Sequence, residues 1–256
     1  AIDPERIGPL LAGLGFPAVD LQTRIRAYRP GRRAVVEVWG PGTRAFVKVV
    51  RPSRAEALHE RHAALDTVAE VPASLGWSAE HGIVVLQAMP GRTARQILAG
   101  SGPLPSGAEL LSVLDSLPPT DEAPHKGWRL EEFRDHISTV HPDIADRVAE
   151  LTDGLAPFEA EVAAEPSVSV HGDLYEAQVL VDGGRVVGLL DVDTFGPGRR
   201  IDDLATYVGH LVVLATTMPG REERILGHAR DVLAHFDATV APDLLRAAVA
   251  AVILGL

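Results

Sequence analysis

Residues His171 to Ala205 read HGDLYEAQVLVDGGRVVGLLDVDTFGPGRRIDDLA, and this stretch decides how the rest of the chain is understood. Two strand-like apolar runs, Val179 to Val181 and Val186 to Leu190, flank Asp182-Gly183-Gly184. Those turn residues tolerate the positive φ that a tight reversal needs, so the spacing predicts a β-hairpin. Such a hairpin returns Gln178, just before its first strand, to the same end as Asp191, just after its second. Asp173 sits in the loop that leads in. An amide oxygen and a carboxylate converging beside another carboxylate suit a hard, oxygen-seeking cation such as Mg2+. The free carboxylate can then accept a proton from an alcohol. Taken singly, each residue has a plainer use: Asp173 as turn chemistry, Asp191 as a strand end, Asp203 as the cap of a helix starting at Leu204. Those uses do not account for the joint spacing. His171 reads as a brace for the loop, and Asp182 as a turn residue without chemistry.

The pattern His171-Gly172-Asp173, Gln178, Leu190-Asp191-Val192-Asp193 and Asp203-Leu204-Ala205 resembles the catalytic core of the aminoglycoside phosphotransferase and choline kinase-like family. These are small-molecule relatives of protein kinases. Carried over by position, the resemblance implies Asp173 as catalytic base and Gln178 and Asp191 as metal ligands. Asp193 either approaches a second Mg2+ or only ends the strand. Gln178 departs from the asparagine of most members; both offer an amide oxygen, at the expense of one extra methylene. Sugar kinases of the maltokinase-like group also resemble an H-G-D…Q pattern, which tilts the acceptor toward a sugar hydroxyl.

Upstream, only two of the 24 basic side chains are lysines, Lys48 and Lys126. A lysine kept inside an apolar run, Ala45 to Val50, in a chain that otherwise uses arginine, points to a need for a compact ammonium. In kinase-like folds the corresponding lysine grips the nucleotide phosphates and pairs with a helix glutamate. Ser53-Arg54-Ala55-Glu56 reads as a capping box opening a helix from about Arg54 to Val68. An apolar face of Ala57, Leu58, Ala64, Leu65 and Val68 puts Glu60 at its border, and Glu60 is the expected partner of Lys48. The turn Arg29 to Arg33 carries one glycine and sits where kinases cover the phosphates, which makes Arg32 a candidate contact. The resemblance also assigns the backbone of Gln87, Ala88 and Met89 to a hinge meeting the nucleotide base. Lys126 lies in a proline-containing loop, Leu117 to Gly127, and receives no role.

The expected fold is α+β and bilobal, protein-kinase-like: residues 1–89 form a small antiparallel nucleotide-binding lobe, and 90–256 a larger, mainly helical catalytic and substrate-binding lobe. Strands are expected at Thr23 to Tyr28, Ala34 to Trp39, Ala45 to Val50 and Ile83 to Ala88. Helices are expected at Asp3 to Leu14, Ser106 to Leu117, Trp128 to Ile137, Pro142 to Ala164 (with a break near Gly154 and Pro157), Asp203 to Thr217, Gly220 to Phe236 and Pro242 to Leu256.

Composition bounds the function classes. The apolar share of 46% and charged share of 23% are those of a globular enzyme. A formal charge of −11 argues against a nucleic-acid partner; it is compatible with a cationic substrate, but a solvated acidic surface is the preferred reading. No apolar run reaches the ~18 residues of a membrane span. Absence of cysteine excludes disulfides and thiolate catalysis. The expected cofactors are ATP or GTP and Mg2+, the expected partner is a small-molecule hydroxyl substrate, and no obligate protein partner is evident. Nucleotide dependence would make the protein cytoplasmic. Two rival classes are a catalytically inactive nucleotide-binding scaffold on the same fold and a metal-dependent hydrolase using His171, Asp173 and Asp191.

Overall fold

Asp3 accepts the Glu5 amide at 3.0 Å and starts helix α1 (Pro4–Gly13), satisfying one of the free donors of its first turn. Strands β1 (Gln22–Arg29), β2 (Arg33–Gly40) and β3 (Thr43–Val49) follow, then helix α2 (Pro52–Leu65) and strands β4 (Ser74–Ser78) and β5 (Ile83–Gln87). The computed structural model describes residues 3–17, 19–66, 70–119 and 127–256. The chain divides into two compact units, Ala1–Pro90 and Gly91–Leu256.

The first unit is built on one antiparallel sheet of order β1-β2-β3-β5-β4. Successive side chains of a strand point to opposite faces, and here both faces are covered. One parity (Val36, Val38, Ala45, Val47, Ile83, Val85) packs with Ile7 and Leu11 of α1 and with Phe16. The other (Phe46, Val84, Leu86) packs with Ala55 and Leu58 of α2. That is why β5 reads as an unbroken run, Ile83-Val84-Val85-Leu86, rather than as an alternation. Each such side chain contributes roughly 1.5–3 kcal/mol on full burial. The β1 edge is different: it is exposed along nearly its whole length, with Ile25 at 43% and Tyr28 at 64%, and it bulges between Ile25 and Ala27.

Helix α2 corrects one expectation. Its N-cap is Arg51 and Pro52 occupies the first position, so Ser53 lies inside the first turn, Glu56 beyond it, and no capping box forms. Proline there is preorganised and needs no amide partner. The buried stripe is Ala55, Leu58, His62 and Leu65, whereas Ala57 and Ala64 are exposed. The expected end at Val68, like Lys126 and most of the 117–127 loop, lies outside the described residues.

The second unit begins with β6 (Arg92–Thr93), followed by helices α3 (Ala94–Ala99), α4 (Gly107–Asp115), α5 (Leu130–Val140) and α6 (Ala145–Ala164). Then come β7 (Ser167–Val170), β8 (Val179–Asp182), β9 (Arg185–Leu189), β10 (Gly196–Arg199) and helices α7 (Arg200–Thr217), α8 (Glu222–Phe236) and α9 (Pro242–Leu254). Strands β6-β8-β9 form one sheet and β7-β10 another. Helix α6 runs through Gly154 and Pro157 without the expected break; Val148, Leu155 and Val162, seven residues apart, bury one continuous stripe across them. Packing of that stripe outweighs the hydrogen bond a proline removes. Helices α7 and α9 approach closely at Gly209, where an added Cβ would meet Val252 Cγ1 at 2.8 Å. The α+β expectation holds: an antiparallel-sheet unit and a mainly helical one.

Candidate active site

The predicted hairpin is present. Gly183 and Gly184 both take positive φ, 57° and 87°, as a two-residue reversal requires. Val179 pairs with Leu189, and the Leu190 amide donates to the Gln178 carbonyl at 2.8 Å. This register brings Gln178 and Asp191 to the same end of the hairpin, one residue out of step. Gln178 is buried at 6% exposure, while Asp191 and Asp193 are half-buried. Asp191 sits in the left-handed region at φ 55°, a conformation asparagine and aspartate tolerate best among non-glycine residues, followed by a short 3-10 turn, Val192–Thr194.

Asp173 is half-buried in the loop between β7 and β8, and that loop is held by side chains. Asp203, on the first turn of α7 and 1% exposed, accepts the His171 amide at 2.7 Å and the Gly172 amide at 2.9 Å. Burial pushes the Asp203 carboxyl upward, opposed by His171 and those two amides. His171 is fully buried; its Nε2 lies 2.8 Å from the Leu190 carbonyl, which only accepts, so Nε2 carries the proton. Nδ1 is then free to accept the Asp173 amide at 3.3 Å. His171 is therefore a brace, as read from the sequence, and it ties the Asp173 loop to the strand end that carries Asp191. The Thr194 hydroxyl donates to the His171 carbonyl at 3.1 Å. Gly172, at φ 81°, cannot carry a side chain, because a Cβ would stand 2.6 Å from the Thr194 carbonyl.

Sequence reasoning assigned Asp203 at most a helix cap and started its helix there. In the structure α7 starts at Arg200, held by the Arg199 amide donating to Asp202 at 3.1 Å, which leaves Asp203 free to clamp the loop. Three further residues around the loop carried no sequence signal. Tyr175 stacks on His210 of α7 at 4.5 Å, and the Arg95 guanidinium of α3 lies 5.7 Å from its ring centre. Burial, then the charge of Asp173, raises the Tyr175 hydroxyl, which keeps it a neutral donor.

In the first unit, Lys48 on β3 is 3% exposed and stands opposite Val35 and Val84, on the sheet face covered by α2. Glu60 is exposed and lies roughly opposite the buried stripe of α2, so the face argument that selected it does not hold. Arg32 is exposed and closes the turn after β1, its amide donating to the Arg29 carbonyl at 3.0 Å with Gly31 at φ 68°. Gln87 ends β5 and donates its amide to the Ala73 carbonyl at 2.9 Å; Ala88 and Met89 are half-buried beyond it.

The donor set offered by Gln178 and Asp191 is oxygen only, which fits Mg2+ rather than a nitrogen- or sulfur-seeking metal. Among the described residues no group of three His, Cys, Asp or Glu side chains could hold a metal. Among the described residues no helix is long and apolar enough to cross a membrane.

A sheet unit followed by a mainly helical unit is the layout of a protein-kinase-like fold. A family model described as the phosphotransferase enzyme family matches residues 24–239; the chain belongs to that family and is a small-molecule kinase, an enzyme transferring phosphate to a hydroxyl group. Comparison with curated proteins gives no match. Among solved structures, an aminoglycoside phosphotransferase from Streptomyces rimosus is 18% identical over 99% of each chain, with a TM-score of 0.63. Its complex with ADP and streptomycin aligns over 87% of this chain and 90% of that one, at 18% identity and a TM-score of 0.58. A macrolide 2'-phosphotransferase type I is 19% identical over 99% of this chain and 88% of that one, with a TM-score of 0.62. These likenesses show the shared fold.

Proposed function

We propose that the protein is an ATP- or GTP- and Mg2+-dependent kinase that phosphorylates a hydroxyl of an aminoglycoside, a sugar or a similar metabolite. One observation carries the reading: the hairpin register joins Gln178 and Asp191 at one strand end, and His171 ties the Asp173 loop to that same end. Residues 1–89 would bind nucleotide, with Lys48 gripping phosphates, Glu60 its proposed partner, Arg32 a further phosphate contact, and the backbone from Gln87 to Met89 meeting the base. Residues 90–256 would hold the catalytic and acceptor groups.

Gln178 and Asp191 would hold Mg2+ through their oxygens, with Asp193 beside them; the ion offsets charge building on the transferred phosphoryl group. Asp173 orients the acceptor alcohol and takes its proton as the oxygen attacks the terminal phosphorus. The bond from that phosphorus to the bridging oxygen breaks, and nucleoside diphosphate leaves. Phosphoryl transfer needs little covalent help, so positioning and charge stabilisation supply most of the rate. The net charge of −11 favours approach of a cationic acceptor.

Screening labelled nucleotide against aminoglycosides, macrolides, sugars and amino alcohols tests the proposal. Asp173→Asn is expected to lower turnover by about 10²–10⁴-fold while calorimetric nucleotide binding stays intact. Equal loss of both would remove Asp173 from its role. Mg2+-dependent nucleotide binding without turnover on any acceptor would instead favour an inactive scaffold.

A further inference from the structure

Between Asp173 and Gln178 lies a residue that has no place in a solvent-facing loop. Glu176 is 0% exposed, and a buried carboxylate costs several kcal/mol unless it is paired. Its Oε1 accepts from Arg95 Nε and Nη2, each at 2.6 Å, and its carbonyl accepts the Arg95 amide at 3.0 Å. Its Oε2 has no hydrogen-bond partner among the described residues. Arg95 stands in the first turn of α3, which is fixed by a reciprocal capping box of Thr93 and Gln96. The neighbouring Tyr175 is pinned from α7 by the His210 stack, and its carbonyl accepts the Gln178 amide at 2.8 Å. The Arg95 side chain keeps 44% of its surface in solvent, which screens the attraction, so an apolar pair of similar volume would hold α3 to the loop about as stably. An ion pair with an unsatisfied oxygen, three residues from one reacting group and two from the other, therefore has a use beyond stability.

We propose that Arg95 and Glu176 are positioning residues: their pair sets the path of the 173–178 segment and with it the aim of Asp173 and Gln178. This rests on the kinase reading for its catalytic consequence, while the structural part stands alone. The test compares the full-length chain with Arg95→Met, Glu176→Met and the double variant, in turnover, thermal stability and hydrogen exchange. Arg95→Met leaves the Glu176 carboxylate buried and unpaired, and the double variant is expected to regain most of the melting temperature lost by that single change; Glu176→Met leaves only the part-exposed Arg95 guanidinium and is expected to lose less. Turnover of the double variant is expected to remain at least about tenfold down at unchanged nucleotide KM, because small misplacements of reacting groups are expensive. Amides of residues 174–178 are expected to exchange faster in it while those of α7 do not. Arg95→Lys, which keeps the charge and loses the fork, is expected to fall between parent and double variant. Parental turnover in the double variant, or unchanged exchange at 174–178, overturns the proposal. A parent that phosphorylates no acceptor counts against the kinase reading, and the exchange measurement still decides the strut.

Discussion

Two stretches carry the proposed chemistry, and they are held by opposite means. Lys48 sits in the middle of a regular strand, where backbone pairing to β2 and β5 fixes its position. The segment from His171 to Gln178 has little regular pairing and is held by side chains reaching in from elsewhere: Asp203, Thr194, Arg95 and His210. A strand position can thus change its side chain with local consequences, whereas the loop transmits changes made well outside it.

The contrast is sharpest at Asp203. Replacing it with Ala strands the buried His171 amide, worth about 1–3 kcal/mol when unsatisfied, and frees the part-buried Gly172 amide. A drop in melting temperature of several degrees is expected, together with a turnover loss exceeding what the unfolded fraction explains; thermal melts paired with kinetics on folded protein check this. Full turnover in a destabilised Asp203→Ala would erase the distinction between loop and strand. Next in size comes Lys48→Met, expected to raise nucleotide KM about tenfold or more in folded protein. Glu60→Gln should reproduce part of that change if the two form a pair; an effect below about twofold removes Glu60 from the site.

The smallest effect separates packing from catalysis altogether. His228 is 6% exposed, its Nε2 lies 3.0 Å from the Tyr207 hydroxyl, and burial pushes its pKa down to about 4 from an ordinary 6.5. The unfolded chain therefore binds a proton that the folded one refuses between those values. Stability present above pH 6.5 is lost as pH falls toward 4, by on the order of 3 kcal/mol. His228→Gln is expected to flatten the denaturant-midpoint profile across that window while leaving turnover at pH 7.5 unchanged; a parent profile already flat would reject the linkage.

The same division explains what could be read from the sequence. Regular elements announce themselves: the apolar runs of β2, β3 and β5, the Gly183-Gly184 turn, and the helical stripes of α8 and α9 all follow from period and turn chemistry. The HGD and DVD spacing gave the candidate site because hairpin register is set locally. What escaped depends on contacts distant in sequence. Asp203 is 32 residues from the amide of His171 that it binds, and Arg95 is 81 residues from Glu176. No periodicity marks such pairs. Helix α2 misled for a local reason: Ser53-x-x-Glu56 satisfies the capping pattern, but Pro52 starts the helix earlier and turns its buried face toward Ala55 and His62.

Strand β1 has a further consequence. An edge strand of eight residues, paired with β2 on one side and carrying two large apolar side chains in water, is a template on which another strand could add. The kink at Ile25–Ala27 breaks the straight ladder an incoming chain would need, and Arg24 and Arg29 place like charges where two such edges meet, Arg26 being paired with Glu37 at 2.6 Å. Misfit and like charge thus guard this border, on the strand that leads directly into the Arg29–Arg33 turn.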